Sequence, residues 1–407
     1  MIGTAIGTLT ALLLSCALRP AALQEPQDPL PAAARAAMST DATAADRAIA
    51  SLRAAGPAGL QAFLAAHEAL AAAAAEVAGP LTPEQERFSA ALDRIGAQRD
   101  DRFARLYWFT DLEAAKAEAV RTGRPILSLH LLGRLDEDLS CANSRFFRTA
   151  LYSNAEVGAL LRDHFVLHWQ SVRPAPRITV DYGDGRRLET TITGNSIHYV
   201  LAADGEIVDA LPGLYGPATF ARELADAEGF LRHRAEVCAY VPMSRHWQDV
   251  ARHAQPAVAV AVDGPTPTAS VAALRAVSKS AAERPLLRRA IGASVPEPLR
   301  MPPAPGDTLD GTSRCLFAIK CAPEVRGDPD RLAAAVARFE ERMAADTARN
   351  QSLRASILCR LLAGPIDLPA LDSWVYTSLF LTPGSDPWLG LLQPDDYTGV
   401  ENGGIRR

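Results

Sequence analysis

The chain has 407 residues, 48% of them hydrophobic and 22% charged, enough apolar material for more than one packed core. A formal net charge of −5 removes the electrostatic ground for nucleic-acid binding, so no nucleic acid is expected among its partners. Six cysteines in a chain this long exclude a disulfide-dense scaffold.

At the N-terminus an uncharged apolar run, Ile2 to Leu18, is followed by Arg19-Pro20 and a Pro/Ala-rich spacer. Its length suits a signal-peptide core better than a membrane span. Leu13-Leu14-Ser15-Cys16 is similar to a bacterial lipobox, in which Cys16 would be the lipidated residue. Residues 1–24 are thus read as a signal peptide or a lipoprotein leader. The protein is expected to be exported, periplasmic or anchored at the outer membrane, and to meet a membrane only through that lipid. Residues 25–42 read as a linker. Residues 43–100 read as a helical prefix: Leu52, Leu60, Phe63, Leu64, Leu70 and Val77 recur loosely at helical spacing. Thr82-Pro83-Glu84-Gln85 supplies an N-cap with proline in the first turn.

Residues 101–240 change character. Leu106 to Phe109 reads as a short strand, Asp111 to Thr122 as an amphipathic helix ending at Gly123, and Pro125 to Leu132 as an apolar central strand. A loop, Gly133 to Asp138, then precedes Ser140-Cys141-Ala142-Asn143-Ser144-Arg145-Phe146-Phe147-Arg148, which opens a helix. Asn154 to Arg162 is a further helix and Phe165 to Trp169 a third strand. Alternation about Gly183-Asp184-Gly185 predicts a β-hairpin over 177–193, expected to be appended to the central sheet. A second hairpin turns at Asp204-Gly205, and the helix Pro217 to Cys238 closes the unit.

Residues 260–407 read as a mainly helical domain of unassigned role. Pro256 to Asp263 reads as a strand or packed linker, Ser270 to Ala290 as a helix, and Pro296 to Asp310 as a proline-rich linker. Asp330 to Leu362 and Leu368 to Phe380 read as helices, with Trp388 and Tyr397 anchoring the tail.

A cysteine in the first turn of a helix faces unpaired N–H groups and the positive end of the macrodipole, which favour thiolate over thiol. Together with the lead-in Trp108-Phe109-Thr110-Asp111-Leu112 and the Asn154-Ala155-Glu156-Val157 helix start, this stretch resembles the thioredoxin-like family over about Leu106 to Gly229. The resemblance implies an α/β thioredoxin-like central domain with an inserted β-hairpin, flanked by a helical N-terminal segment and a mainly helical C-terminal domain. It also implies Cys141 as the nucleophile of a Cys-x-x-Ser motif whose fourth position is Ser144. Serine forms no disulfide, so this site cannot resolve a mixed disulfide internally. Where the family places a cis-proline, counting back from Gly205 gives Ser196. The substrate loop is then Asn195, Ser196 and Ile197, with the Asn195–Ser196 peptide expected trans. The family's buried acid falls on Leu129, with His130 pointing the other way.

Arg145 and Arg148, after the cysteine, are read as surface charges. Cys315 and Cys321 could pair or could lie as two buried thiols. No Cys/His cluster has zinc spacing, and His164 and His168 straddle a strand, so no metal site is expected. No cofactor motif occurs, so no cofactor is expected. Two functions stay open. One is single-cysteine disulfide exchange or isomerisation through Cys141, with protein thiols or disulfides as partners. The other is a non-enzymatic interaction or scaffold module for an unidentified protein.

Overall fold

The computed structural model describes residues 29–76, 79–192, 194–237, 242–253, 276, 278–279, 281–284, 299–382 and 399–400. The leader over 1–24 with Cys16, Cys238, the 256–263 segment, most of the 270–290 helix and the tail with Trp388 and Tyr397 lie outside them.

Five helices come first: α1 (Leu30–Ala36), α2 (Ala42–Ala54), α3 (Pro57–Ala66), α4 (Glu68–Glu76) and α5 (Pro83–Gly96). Asp41 caps α2, and Thr82 with Gln85 forms a reciprocal capping box on α5. Leu52, Phe63, Phe88, Leu92 and Ile95 build their core together with Ala34 and Ala37. This corrects the linker expected over 25–42, because Leu30–Ala36 is a helix with Ala34 buried. Alanine offers little periodic signal, yet its small side chain lets α1 pack closely. A short helix, α6 (Asp101–Ala104), leads into the sheet. The Arg53 guanidinium joins the two units by donating to the carbonyls of Ile95 and Trp108.

The sheet contains β1 (Trp108–Phe109), β2 (Ile126–Leu132) and β3 (Val166–Arg173). The crossover helix α7 (Leu112–Thr122) starts where the Asp111 carboxylate accepts from Ala114 N and stops at Gly123, whose φ of 70° suits glycine. Between β2 and β3 run α8 (Ala142–Phe146), a π-helical turn (Phe147–Tyr152) and α9 (Ala155–His164). After the hairpin strands β4 (Arg177–Asp181) and β5 (Arg187–Thr191) come β6 (Ile197–Leu201) and β7 (Ile207–Pro212). The central order is β1-β3-β2-β6-β7, with β1, β3 and β2 parallel and β6 and β7 antiparallel. The chain is therefore mixed α/β. Every side chain of β2 is buried, as a strand covered on both faces requires.

The predicted hairpin forms, but β4 and β5 make a separate two-stranded sheet rather than an appendage of the central one. The β2–β3 register shifts between Leu131 and Leu132, and the chain then leaves β3 through Pro174 and Pro176, which have no N–H to extend a ladder. No residue of β4 is fully buried and Leu188 of β5 is exposed, so neither strand carries a wholly buried face.

The helices that follow among the described residues include α10 (Pro217–Glu236), α11 (Met243–His253), α12 (Gly311–Lys320), α13 (Pro323–Arg326), α14 (Pro329–Leu362) and α15 (Leu368–Trp374), with a second π-helical turn (Val375–Leu379) after α15. The described part of the expected C-terminal domain has no core of its own. Val336, Phe339 and Met343 of α14 pack with Leu127, Leu129 and Leu131 on one face of β2. Leu353, Ile357, Leu358 and Leu361 of the same helix pack with Ile126 and Leu132 on the other. Within the expected linker over 296–310, Asp307 is buried and caps α10, accepting from Thr219 N at 2.8 Å and Thr219 Oγ1 at 2.7 Å. A Cβ on Gly216 would lie 2.2 Å from Asp307 Cγ, so this close approach needs glycine.

Candidate functional site

Cys141 stands immediately beyond the end of β2, its N–H donating to Leu132 O at 3.1 Å, and it is the N-cap residue of α8. The loop before it is drawn shut by Gly133 N, which donates to Arg173 O at 2.8 Å. Arg148 completes that loop. Its guanidinium is buried and donates to Leu135 O at 3.2 Å and Glu137 O at 3.0 Å, which corrects its reading as a surface charge. Burial lowers its pKa, although the neighbouring Asp100 opposes the shift. Arg145 turns instead to Thr191 Oγ1, at 2.9 Å.

The five site residues expected from the sequence meet in space. The Cys141 Sγ lies 2.9 Å from Ser196 Oγ and 3.6 Å from Ser144 Oγ. Ser144 Oγ donates its one proton to Cys141 O at 2.8 Å. The hydroxyl not already committed to a carbonyl is therefore that of Ser196, and in its contact with Cys141 either the thiol or the hydroxyl can donate. Asn195 holds the loop: its Oδ1 accepts from Ser196 N at 3.0 Å and from the Asn143 side-chain amide. All the described peptide bonds are trans, the Asn195–Ser196 bond included, as expected for a peptide bond that precedes serine. Ile197 begins β6 and packs in the same apolar cluster as Cys141.

This site is closed. Cys141, Ser144, Ser196 and Ile197 each have 0% exposure. Part of the cover comes from a segment the sequence did not connect with the site. Tyr376 and Phe380 share the Cys141 cluster, and the Tyr376 hydroxyl donates to His130 O at 3.0 Å and Asn195 O at 3.2 Å. No motif could have revealed this, because Tyr376 lies 181 residues beyond Asn195.

A second constellation lies in the same sheet face. Leu129 joins the opposite core, whereas His130 shares the Cys141 side of the sheet. The His130 ring meets Asp372 Oδ1 at 2.9 Å through Nδ1 and Ser128 Oγ at 3.1 Å through Nε2, and His168 Nδ1 reaches the same Ser128 Oγ at 2.8 Å. Tyr199 donates to Asp372 Oδ1 at 3.0 Å. Ser-His-Asp is the order of a nucleophilic triad, but Ser128 is fully buried between two imidazoles and leaves no room for a carbonyl. These polar groups satisfy one another inside the core. Burial, aided by the His130 charge, pushes the His168 pKa down to about 3.

Asp209 of β7 forms a third cluster, holding the Arg354 guanidinium with both carboxylate oxygens and His246 Nε2 at 2.8 Å. Burial would raise its pKa, but Arg354 and His246 overcome that and hold it below the usual carboxylate range. His164 ends α9 and faces Glu228 at 3.0 Å, away from His168. Among the described residues no group of three or more His, Cys, Asp or Glu could hold a metal ion. Cys315, Cys321 and Cys359 are free thiols, so the first two do not pair. No family model, no curated protein and no solved structure matches this chain.

Proposed function

We propose that this protein is thioredoxin-like and performs single-cysteine thiol–disulfide exchange or isomerisation through Cys141, acting on protein thiols or disulfides in an oxidising compartment reached by the N-terminal leader. The observation that carries this reading is the 2.9 Å approach of Cys141 Sγ to Ser196 Oγ, between the helix start after β2 and the loop before β6. The strand order β1-β3-β2-β6-β7, three parallel strands followed by two antiparallel ones, supports the same reading.

In the reaction the Cys141 thiolate attacks one sulfur of a substrate disulfide. A new S–S bond forms as the old one breaks, and the departing sulfur leaves as a thiolate with the electron pair. Ser196 donates a hydrogen bond to the attacking sulfur, and Ser144 cannot expel the substrate. A second thiol, from the substrate or from solution, must therefore attack the mixed disulfide and return Cys141 to its reduced form. When that thiol belongs to the same substrate the net change is isomerisation, with no oxidant consumed.

A second reading, a non-enzymatic interaction module, is favoured by the 0% exposure of Cys141. Purification under oxidising conditions separates the two. Single-cysteine exchange predicts partners recovered as disulfide-linked adducts that vanish on reduction and in Cys141→Ser. Partners that bind equally well in Cys141→Ser, without adducts, would establish the module instead.

A further inference from the structure

The thiol reading leaves one conflict: a nucleophile with no exposed surface. Part of the packing around it comes from outside the sheet unit, from α14, α15 and the segment that follows them. Gly133, Arg148, Asn195 and Ser196 belong to the sheet unit that builds the site, whereas Tyr376 and Phe380 arrive from the far end of the described chain. Tyr376 lies in the π-helical turn Val375–Leu379, a geometry less favourable than α-helix and common where a helix serves a site, and Phe380 is the C-cap residue of that turn. Two residues beyond the turn stands Leu381, a non-glycine residue with φ of 55°, in the left-handed region. Thr382 N then folds back to Tyr376 O at 2.9 Å, and Arg173 donates to Thr382 O at 3.4 Å.

Tyr376 and Phe380 face the Cys141 cluster, while Thr377 is exposed and lines a surface cleft with Lys116, Gln170 and Ser373. The segment takes no part in the strand pairing of the central sheet, so displacing it would leave that ladder intact and break instead the Tyr376 hydroxyl bonds to His130 O and Asn195 O and the Arg173 bond to Thr382 O. Its polar hold on the Asn195–Ile197 loop is a single hydroxyl, Tyr376 Oη, whose one proton is shared between His130 O at 3.0 Å and Asn195 O at 3.2 Å. An extended peptide lying along the Asn195–Ile197 loop would need the same carbonyl as a hydrogen-bond acceptor.

We propose that residues 375–382 are an autoinhibitory strap, seated on the Asn195–Ile197 loop through Tyr376, that bars protein thiols and disulfides from Cys141 until it lifts. This rests on the single-cysteine reading. The strap and an incoming peptide compete for one face, so the substrate class is a protein segment extended enough to replace Tyr376 on the loop.

The test is native-state alkylation of the full chain with N-ethylmaleimide, following the Cys141 peptide by mass spectrometry. In the double variant Tyr376→Ala, Phe380→Ala, Cys141 should label at least about tenfold faster than in the wild type, at a rate insensitive to low urea. Phe63→Ala, in the core of the N-terminal helices, controls for general destabilisation and should accelerate labelling only through urea-sensitive global unfolding. Labelling no faster than wild type, or faster only with the urea dependence of Phe63→Ala, overturns the strap. Should the double variant fail to fold, Tyr376→Phe removes the hydroxyl alone and should still raise the rate severalfold; an unchanged rate there also overturns it. The thiol reading is scored separately by offering the opened variant an oxidised peptide. An accessible Cys141 that forms no mixed disulfide defeats that reading and reduces the strap to a cover over an inert thiol.

Discussion

Fifty-five residues separate Cys141 from Ser196, yet Sγ and Oγ meet at 2.9 Å in a fully buried site. Ser144, three residues away, is the more distant hydroxyl at 3.6 Å and has already given its proton to a carbonyl. The side chain that conditions the sulfur is thus the one from the loop before β6, and the motif's own serine serves the backbone.

Ser144→Cys tests the geometry of that motif. It places a second sulfur where an oxygen now lies 3.6 Å from Cys141 Sγ, a gap that side-chain rotation can close to the bond length of about 2.05 Å. Under oxidising conditions a disulfide between Cys141 and the introduced cysteine is expected, read as the loss of two titratable thiols relative to the reduced variant. Disulfide-linked partners of the wild type should be released from this variant. Two persistently free thiols would show that the helix start cannot accommodate the bond.

The Asp209–Arg354 pair joins β7 to α14 across 145 residues, with both groups buried. Asp209→Leu leaves the Arg354 guanidinium without its main counter-charge, and a loss of about 3–5 kcal/mol is expected in urea unfolding. Adding Arg354→Met removes the stranded charge and should recover most of that loss. A double variant no more stable than the single one would mean that the ion pair itself, rather than the desolvated charge, decides stability here.

Acid should weaken the fold through its buried histidines. Burial holds the His198 pKa down at about 3, against 6.5 when unperturbed. Between those values the unfolded chain binds a proton that the folded chain refuses, so stability falls as pH falls, by about 1.4 kcal/mol per pH unit for each such histidine. Asp93 acts in the opposite sense. Burial raises its pKa to about 6, so the folded chain keeps a proton the unfolded chain releases, and that stabilisation is lost as pH rises through about 6. His198→Gln can still accept from the Tyr152 hydroxyl, which now meets His198 Nε2 at 2.7 Å. Its unfolding free energy should decline less steeply from pH 6 to 4, by about the one-histidine share. A profile parallel to wild type would show that His198 does not carry this dependence.

What the sequence determined by itself was local. Asp111 and Gly123 bound their helix because a carboxylate caps the N-terminus and a positive φ of 70° ends it, and both effects act within one turn. Asp204-Gly205 turns the β6–β7 hairpin for a similar reason, with Gly205 at φ of 94° and Asp204 Oδ1 accepting from Glu206 N at 2.9 Å. Ser196, reached by applying the spacing of the thioredoxin-like resemblance back from Gly205, is the residue found against Cys141. Tertiary structure alone decided the rest. Helix α1 was hidden because its buried face is alanine, and the β4–β5 hairpin stands apart because prolines and a register shift interrupt the ladder before it. Arg148 proved buried because loop carbonyls 11 and 13 residues away accept its protons. Above all, Cys141 is closed within a cluster that includes Tyr376. Whether a thiol is open to solvent is set by whatever packs over it, and chain neighbours carry no record of a cover that arrives from 181 residues beyond Asn195.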